Sequence, residues 1–85
     1  MMYTVLWTPA AEQELAALWL AAGDRGAVTS AANSIDQLLK QDPEVRGILC
    51  FDTVRTLVVP PLGADFEIVD ADRVVYVLSV WENTP

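Results

Sequence analysis

The sequence predicts a single α+β domain over residues 1–85, in the order β-α-α-β-β-β, with a helical hairpin packed on one face of a small, mainly antiparallel sheet. Three features carry that expectation. The alternation of Tyr3, Val5 and Trp7 with Thr4 and Leu6 ends at Thr8-Pro9 and gives way to apolar residues three and four apart. A second run with the same helical period follows Gly23-Asp24. From Val54 onward β-branched residues dominate, divided by Pro60-Pro61 and by Asp70-Ala71-Asp72.

The first strand carries apolar groups on both sides, so at least one side needs cover. Thr8 has the chemistry of a helix cap, and Pro9 suits the first helical position, where a missing N–H costs nothing. Glu12 and Glu14 then sit near the positive end of the helix dipole. Ala11, Leu15, Leu18, Trp19 and Ala22 form one stripe of the first helix, directed at a core. Asp24 is placed to cap a second helix whose stripe is Val28, Ala31, Ala32, Ile35, Leu38 and Leu39, and Asp42-Pro43 stops it. The short connection makes the two helices an antiparallel hairpin.

Residues 44–53 follow neither period, and either an edge strand or a packed loop fits them. Val54 to Val59 reads as a strand ended by Pro60-Pro61, with Gly63 expected in the turn. Phe66 and Ile68 alternate with Asp65, Glu67 and Asp70, which predicts a half-buried strand with an acidic, wet face. The last run, from Arg73 to Trp81, places Tyr76, Leu78 and Val80 on one face and Val75, Val77, Ser79 and Trp81 on the other. A strand apolar on both sides belongs in the middle of a sheet. Because a hairpin covers only one side, some of the second apolar face is expected to need another cover, supplied either by the segment from Glu44 to Thr53 or by another protein.

A chain of 85 residues, 53% hydrophobic and 20% charged, is globular in composition and large enough for one core. Its apolar stretches are too short and too often interrupted to span a bilayer, so no membrane is expected as a partner. No basic segment leads into an apolar run at the N-terminus, and Cys50 has no second cysteine to pair with; a cytoplasmic location is the expectation. Twelve carboxylates against Lys40 and four dispersed arginines give a formal net charge of −7. That balance argues against nucleic acid as a direct high-affinity ligand, because phosphate-tracking proteins gather lysine and arginine into a patch. With no histidine and one cysteine, no metal or cofactor is implied, and Cys50 lacks a histidine that would activate it as a nucleophile. It reads as a small buried apolar residue. The three tryptophans, Trp7, Trp19 and Trp81, fall on stripes assigned to packing.

The opening segment Tyr3 to Leu15, Ile35-Asp36 before Leu38-Leu39, and the late pattern of Arg55-Thr56-Leu57, Pro61-Leu62, Phe66-Glu67-Ile68, Arg73-Val74 and Val77-Leu78-Ser79-Val80-Trp81 together resemble the RelE/ParE family of toxin domains, which includes plasmid stabilisation proteins. The resemblance spans nearly the whole chain, and its motifs are architectural. It implies a toxin of a type II toxin-antitoxin system, either cleaving messenger RNA on the ribosome, as the RelE kind do, or inhibiting DNA gyrase, as the ParE kind do. It also implies a small antitoxin as partner.

Carried over residue by residue, the resemblance makes Arg55, at the start of a strand, and Arg73, opening the last strand, the candidate catalytic cations, with Tyr76 offering a phenol. The family's basic C-terminal tail has no counterpart, since the last strand runs into Glu82-Asn83-Thr84-Pro85. With those basic residues missing, ribonuclease or gyrase-inhibiting activity is expected to be weak or lost; ribonuclease action in particular needs cations on the phosphate and a proton carrier. In ordinary structural terms Arg55 and Arg73 flank turns and pair with Asp52, Asp70 or Asp72, and Lys40 ends the second helix. The expected function is a toxin-like component acting through protein binding, with Val75, Val77 and Trp81 as the partner-binding residues of the uncovered sheet face. The alternative is a non-catalytic interaction module or homodimer on the same scaffold.

Overall fold

In a computed structural model describing residues 2–83, and only the backbone of Cys50 and Phe51, the predicted elements appear in order, with one additional strand. They are β1 (Thr4–Trp7), α1 (Pro9–Ala21), α2 (Arg25–Gln41), β2 (Ile48–Phe51), β3 (Val54–Val59), β4 (Leu62–Val69) and β5 (Val74–Glu82). Single 3₁₀ turns at Pro43–Val45 and Asp70–Asp72 lead out of α2 and into β5. The sheet order is β1-β5-β4-β3-β2, parallel between β1 and β5 and antiparallel elsewhere. Part of the ambiguous 44–53 segment is thus an edge strand. The expectation of a buried Cys50 side chain, and the terminal Thr84-Pro85, lie outside the described residues.

Thr8 joins three elements. Its hydroxyl accepts from the Ala11 N–H at 3.2 Å and so caps α1, it donates to the Leu78 carbonyl at 3.3 Å, and its own N–H donates to the Val77 carbonyl at 3.0 Å. Asp24 caps α2 by accepting from the Ala27 N–H at 3.0 Å. Arg25 then reaches back to the open carbonyl end of α1, donating to the Trp19 and Leu20 carbonyls at 3.1 Å each, with its guanidinium 4.6 Å from the Trp19 ring centre. A cation at that end answers both the free carbonyls and the helix dipole, although α1 has no basic residue in its own last turn.

The core lies between the hairpin and one face of the sheet. Val28, Ala31, Ile35 and Leu39 of α2 and Ala11 of α1 meet Leu62, Ala64 and Phe66 of β4 and Val75, Val77 and Val80 of β5, all buried. Two expectations are corrected here. Gly63 is not in the turn, which is Pro60-Pro61, joined by a cis bond; it is the second residue of β4, where a Cβ would come within 2.5 Å of the Trp81 ring. The faces of β5 also do not alternate as predicted. Phe66 pairs with Val77 but Asp65 pairs with Ser79, so Leu78 is an extra residue, and beyond it the facing reverses. Val80 joins Val75 and Val77 under the helices while Trp81 turns to the outer face. The bulged backbone is satisfied from α1: Val80 N–H donates to Glu14 Oε1 at 3.0 Å, and Thr8 takes the Leu78 carbonyl.

Candidate functional site

A groove of about 990 Å³ runs between the two helices and the β1 edge of the sheet. Its walls include Leu15, Trp19 and Leu20 of α1 and Val28 of α2, and its floor is Val5, Leu6 and Trp7. The cause lies in the composition of α1, in which Ala10, Ala16, Ala17, Trp19, Leu20 and Ala21 carry apolar character around the whole helix while only Ala11 is buried. A helix apolar on all sides is normally enclosed. Here Trp19 and Leu20 are 40% and 65% exposed, so the expectation that Trp19 belongs to the core is corrected: it lines the groove under Arg25. Two carboxylates, Glu12 and Asp36, also line the groove. Asp36 accepts from Trp7 Nε1 at 3.3 Å and pairs with Lys40 at 2.9 Å, the one ion pair among the described residues.

The outer face of the sheet is polar at its centre. Asp65 accepts from the Thr56 hydroxyl at 2.6 Å and the Ser79 hydroxyl at 3.2 Å, and Glu67 accepts from Thr53. Strand register places these groups beside Tyr76, 37% exposed, with Trp81 lying across Gly63 further along. The expectation of an apolar second face is therefore corrected. Val75 and Val77, which were to form it with Trp81, have no exposed surface because they point at the helices.

A third cluster lies where β1 begins. The buried Tyr3 phenol stands 2.8 Å from Asp70 Oδ1 and 3.0 Å from Glu44 Oε2, offering its single proton to two carboxylates. The bond to Asp70, then desolvation, then Glu44 push its pKa up to about 12, because ionisation would place a third negative charge among them. Arg73 lies over the same ring, 5.2 Å from its centre, in a left-handed backbone conformation, and its carbonyl accepts from Thr4 N–H at 2.9 Å to start the β1–β5 ladder.

The candidate catalytic residues do not converge. Arg55 shares the helix-side face with Phe66 and Val77, Tyr76 shares the outer face with Glu67, and Arg73 sits at the turn over Tyr3. The ion pairs expected of Arg55 and Arg73 are absent among the described residues, and Arg73 stacks instead. Sequence reading missed Glu14, whose backbone partner Val80 is distant along the chain, and Arg25, whose partners are the Trp19 and Leu20 carbonyls five and six residues back. The uncompensated apolar character of α1 was the one signal for the groove.

No family model and no curated protein matches the sequence. Solved structures do match in fold. The chain superposes on a protein in the RelBE2 toxin-antitoxin complex of Mycobacterium tuberculosis with a TM-score of 0.81 at 18% identity, covering 96% of this chain and 99% of that one. A chain of the chromosomal ParDE toxin-antitoxin system of P. aeruginosa gives 0.69 at 18% identity with 98% of each chain covered. A mutant of the E. coli toxin RelE in its free state gives 0.69 at 16% identity over 96% of this chain and 84% of that one. The chain thus has the RelE/ParE-type toxin fold.

Proposed function

We propose that this protein is a cytoplasmic, toxin-like component of a type II toxin-antitoxin system whose activity is exercised through protein binding. The observation that carries the reading is the open apolar groove beside α1, on a fold whose solved neighbours include toxin-antitoxin complexes. The groove suits an amphipathic helix that buries its apolar side against Trp19, Leu20 and Leu6. A net charge of −7, with Glu12 and Asp36 lining the groove, favours a partner segment flanked by lysine or arginine.

Binding rather than nucleic-acid cleavage is favoured by the outer sheet face, where Asp65 and Glu67 stand at the centre beside Tyr76, while Arg55 is on the helix-side face and Arg73 at the turn over Tyr3. The same observation supports the second reading, a non-catalytic interaction module on the toxin scaffold. The decisive experiment is expression alone and with the product of the adjacent reading frame, followed by calorimetry of the purified pair. Growth arrest relieved by the neighbour, with binding weakened by about 2 kcal/mol or more in Trp19→Ala, is the expected result. Absence of both arrest and binding overturns the proposal. Binding without arrest selects the non-catalytic reading, and equal toxicity of Arg55→Ala removes Arg55 as a functional cation.

A further inference from the structure

Both helices pack on one face of the sheet, and the other is left to water at Val58, 45% exposed, and at Tyr76. On that outer face Asp65 and Glu67 project from alternate positions of β4, about 7 Å apart along the strand. Register sets Glu67 opposite Tyr76 and Asp65 opposite Ser79, with Trp81 beyond, across Gly63. Two carboxylates therefore stand in a row with an aromatic side chain toward each end. The charge of this row is unanswered. Both acids are half-buried, and what they accept comes from the neutral hydroxyls of Thr53, Thr56 and Ser79, which orient the oxygens without cancelling their charge. Every outward position of β3, β4 and β5 is neutral or acidic. The chain's cations are engaged elsewhere: Arg25 on Trp19, Lys40 on Asp36, Arg73 over Tyr3, and Arg55 on the helix-side face.

Charge and ring together select the occupant. Taking carboxylates partly out of water without a counter-ion costs free energy that a cation from outside recovers. Each Asp65 oxygen accepts from one hydroxyl and keeps a second acceptor site, and Glu67 Oε1 accepts from no group among the described residues. A guanidinium is flat, forks onto a carboxylate through two parallel hydrogen bonds and stacks on an aromatic ring, whereas an ammonium is a compact point charge. The chain uses this combination internally, where Arg73 lies 5.2 Å from the centre of the Tyr3 ring and the phenol meets Asp70 and Glu44. On the outer face Tyr76 and Glu67 repeat the ring and the acid, with no ion pair to this chain's own cations among the described residues. A second copy of the chain is disfavoured, because a two-fold contact here sets Asp65 and Glu67 against themselves. Phosphate backbones meet the same repulsion.

We infer that the outer sheet face binds an arginine-bearing segment of another protein, with two guanidinium groups seated on Asp65 and Glu67 and stacked on Trp81 and Tyr76. Arginines at alternate positions of an extended segment, about 7 Å apart, match the spacing of the two carboxylates. The groove beside α1 lies between the helices and β1, so this site is separate from it and stands whether or not the toxin reading does.

Calorimetry of the purified full chain with the capped peptide Thr-Arg-Thr-Arg-Thr tests the inference. Saturable binding is expected, weakened about tenfold or more by Asp65→Asn or Glu67→Gln and less by Tyr76→Leu, and unchanged in Trp19→Ala. The peptide with lysine in place of arginine is expected to bind more weakly, and the peptide with glutamate not at all. Asn and Gln keep an acceptor for the hydroxyls, and melting curves that match the wild type show that these variants fold. A nitrogen–proton correlation spectrum of the wild-type chain locates the contact without any variant: the arginine peptide is expected to shift the amides around Asp65, Glu67 and Ser79. Absence of saturable binding overturns the inference. So do shifts centred on the groove beside α1, unchanged affinity in both carboxylate variants, or the same shifts produced by a single-stranded RNA oligonucleotide.

Discussion

The two faces of this sheet are made by the same strands and behave as different materials. On β4, Leu62, Ala64 and Phe66 face the helices with 1% exposure or less, while Asp65 and Glu67, from between and beyond them, face outward and collect hydroxyls from Thr56, Ser79 and Thr53. The inner face is held by volume and the outer by hydrogen bonds. Their difference shows why a strand with apolar residues at almost every position need not expose an oily surface. On β5 a single extra residue at Leu78 lets Val80 follow Val75 and Val77 into the core, and Thr8 and Glu14 satisfy the backbone that the bulge releases.

If the inner face is governed by volume, Phe66→Ala should have the largest effect, a loss of about 3–5 kcal/mol in urea unfolding, since the ring has no exposed surface and belongs to the core between the helical hairpin and the sheet. Gly63→Ala tests how the outer face is packed. The added methyl group collides with the Trp81 ring, so a loss of about 1–3 kcal/mol is expected, together with a change in tryptophan emission. Asp65→Ala removes the acceptor shared by Thr56 and Ser79, and a smaller loss of about 1–2 kcal/mol follows, measured in the same way.

The mildest test concerns pH. The Tyr3 phenol is raised from 10.0 to about 12, so its contribution to stability is fully present below pH 10 and is lost as pH rises through about 12. Spectrophotometric titration should show one phenol ionising late, and Tyr3→Phe should remove both that late step and the matching fall in stability. A wild-type stability that stays level across this interval would break the assignment of the Asp70–Glu44 pocket.

Much of the architecture was legible because the signals are local. Thr8-Pro9 and Gly23-Asp24 mark helix starts through caps that form within three residues, and the Val28 to Leu39 stripe describes the buried side of α2. The alternation of Phe66 with Asp65 and Glu67 foretold the wet face of β4. The site was less legible. Arg55, Arg73 and Tyr76 are spread over opposite faces and a turn because register, not chain order, decides which strand residues are neighbours. Val75 and Val77 were placed on the uncovered face with Trp81, whereas both point at the helices and the bulge at Leu78 turns Trp81 away from them; Trp19 could not be told from a core residue by its spacing.

The order of elements, the caps and breaks and the amphipathic side of α2 follow from residues within a turn or two of one another, and the acidic charge from composition alone. Tertiary structure alone decided that Gly63 makes room for Trp81, that Glu14 and Arg25 serve backbone groups of other elements, and that α1 remains uncovered beside β1. These depend on which surfaces come within a few ångströms after folding. Periodicity within a segment states how many sides are apolar; only packing between segments states which of them is left to water or to a partner.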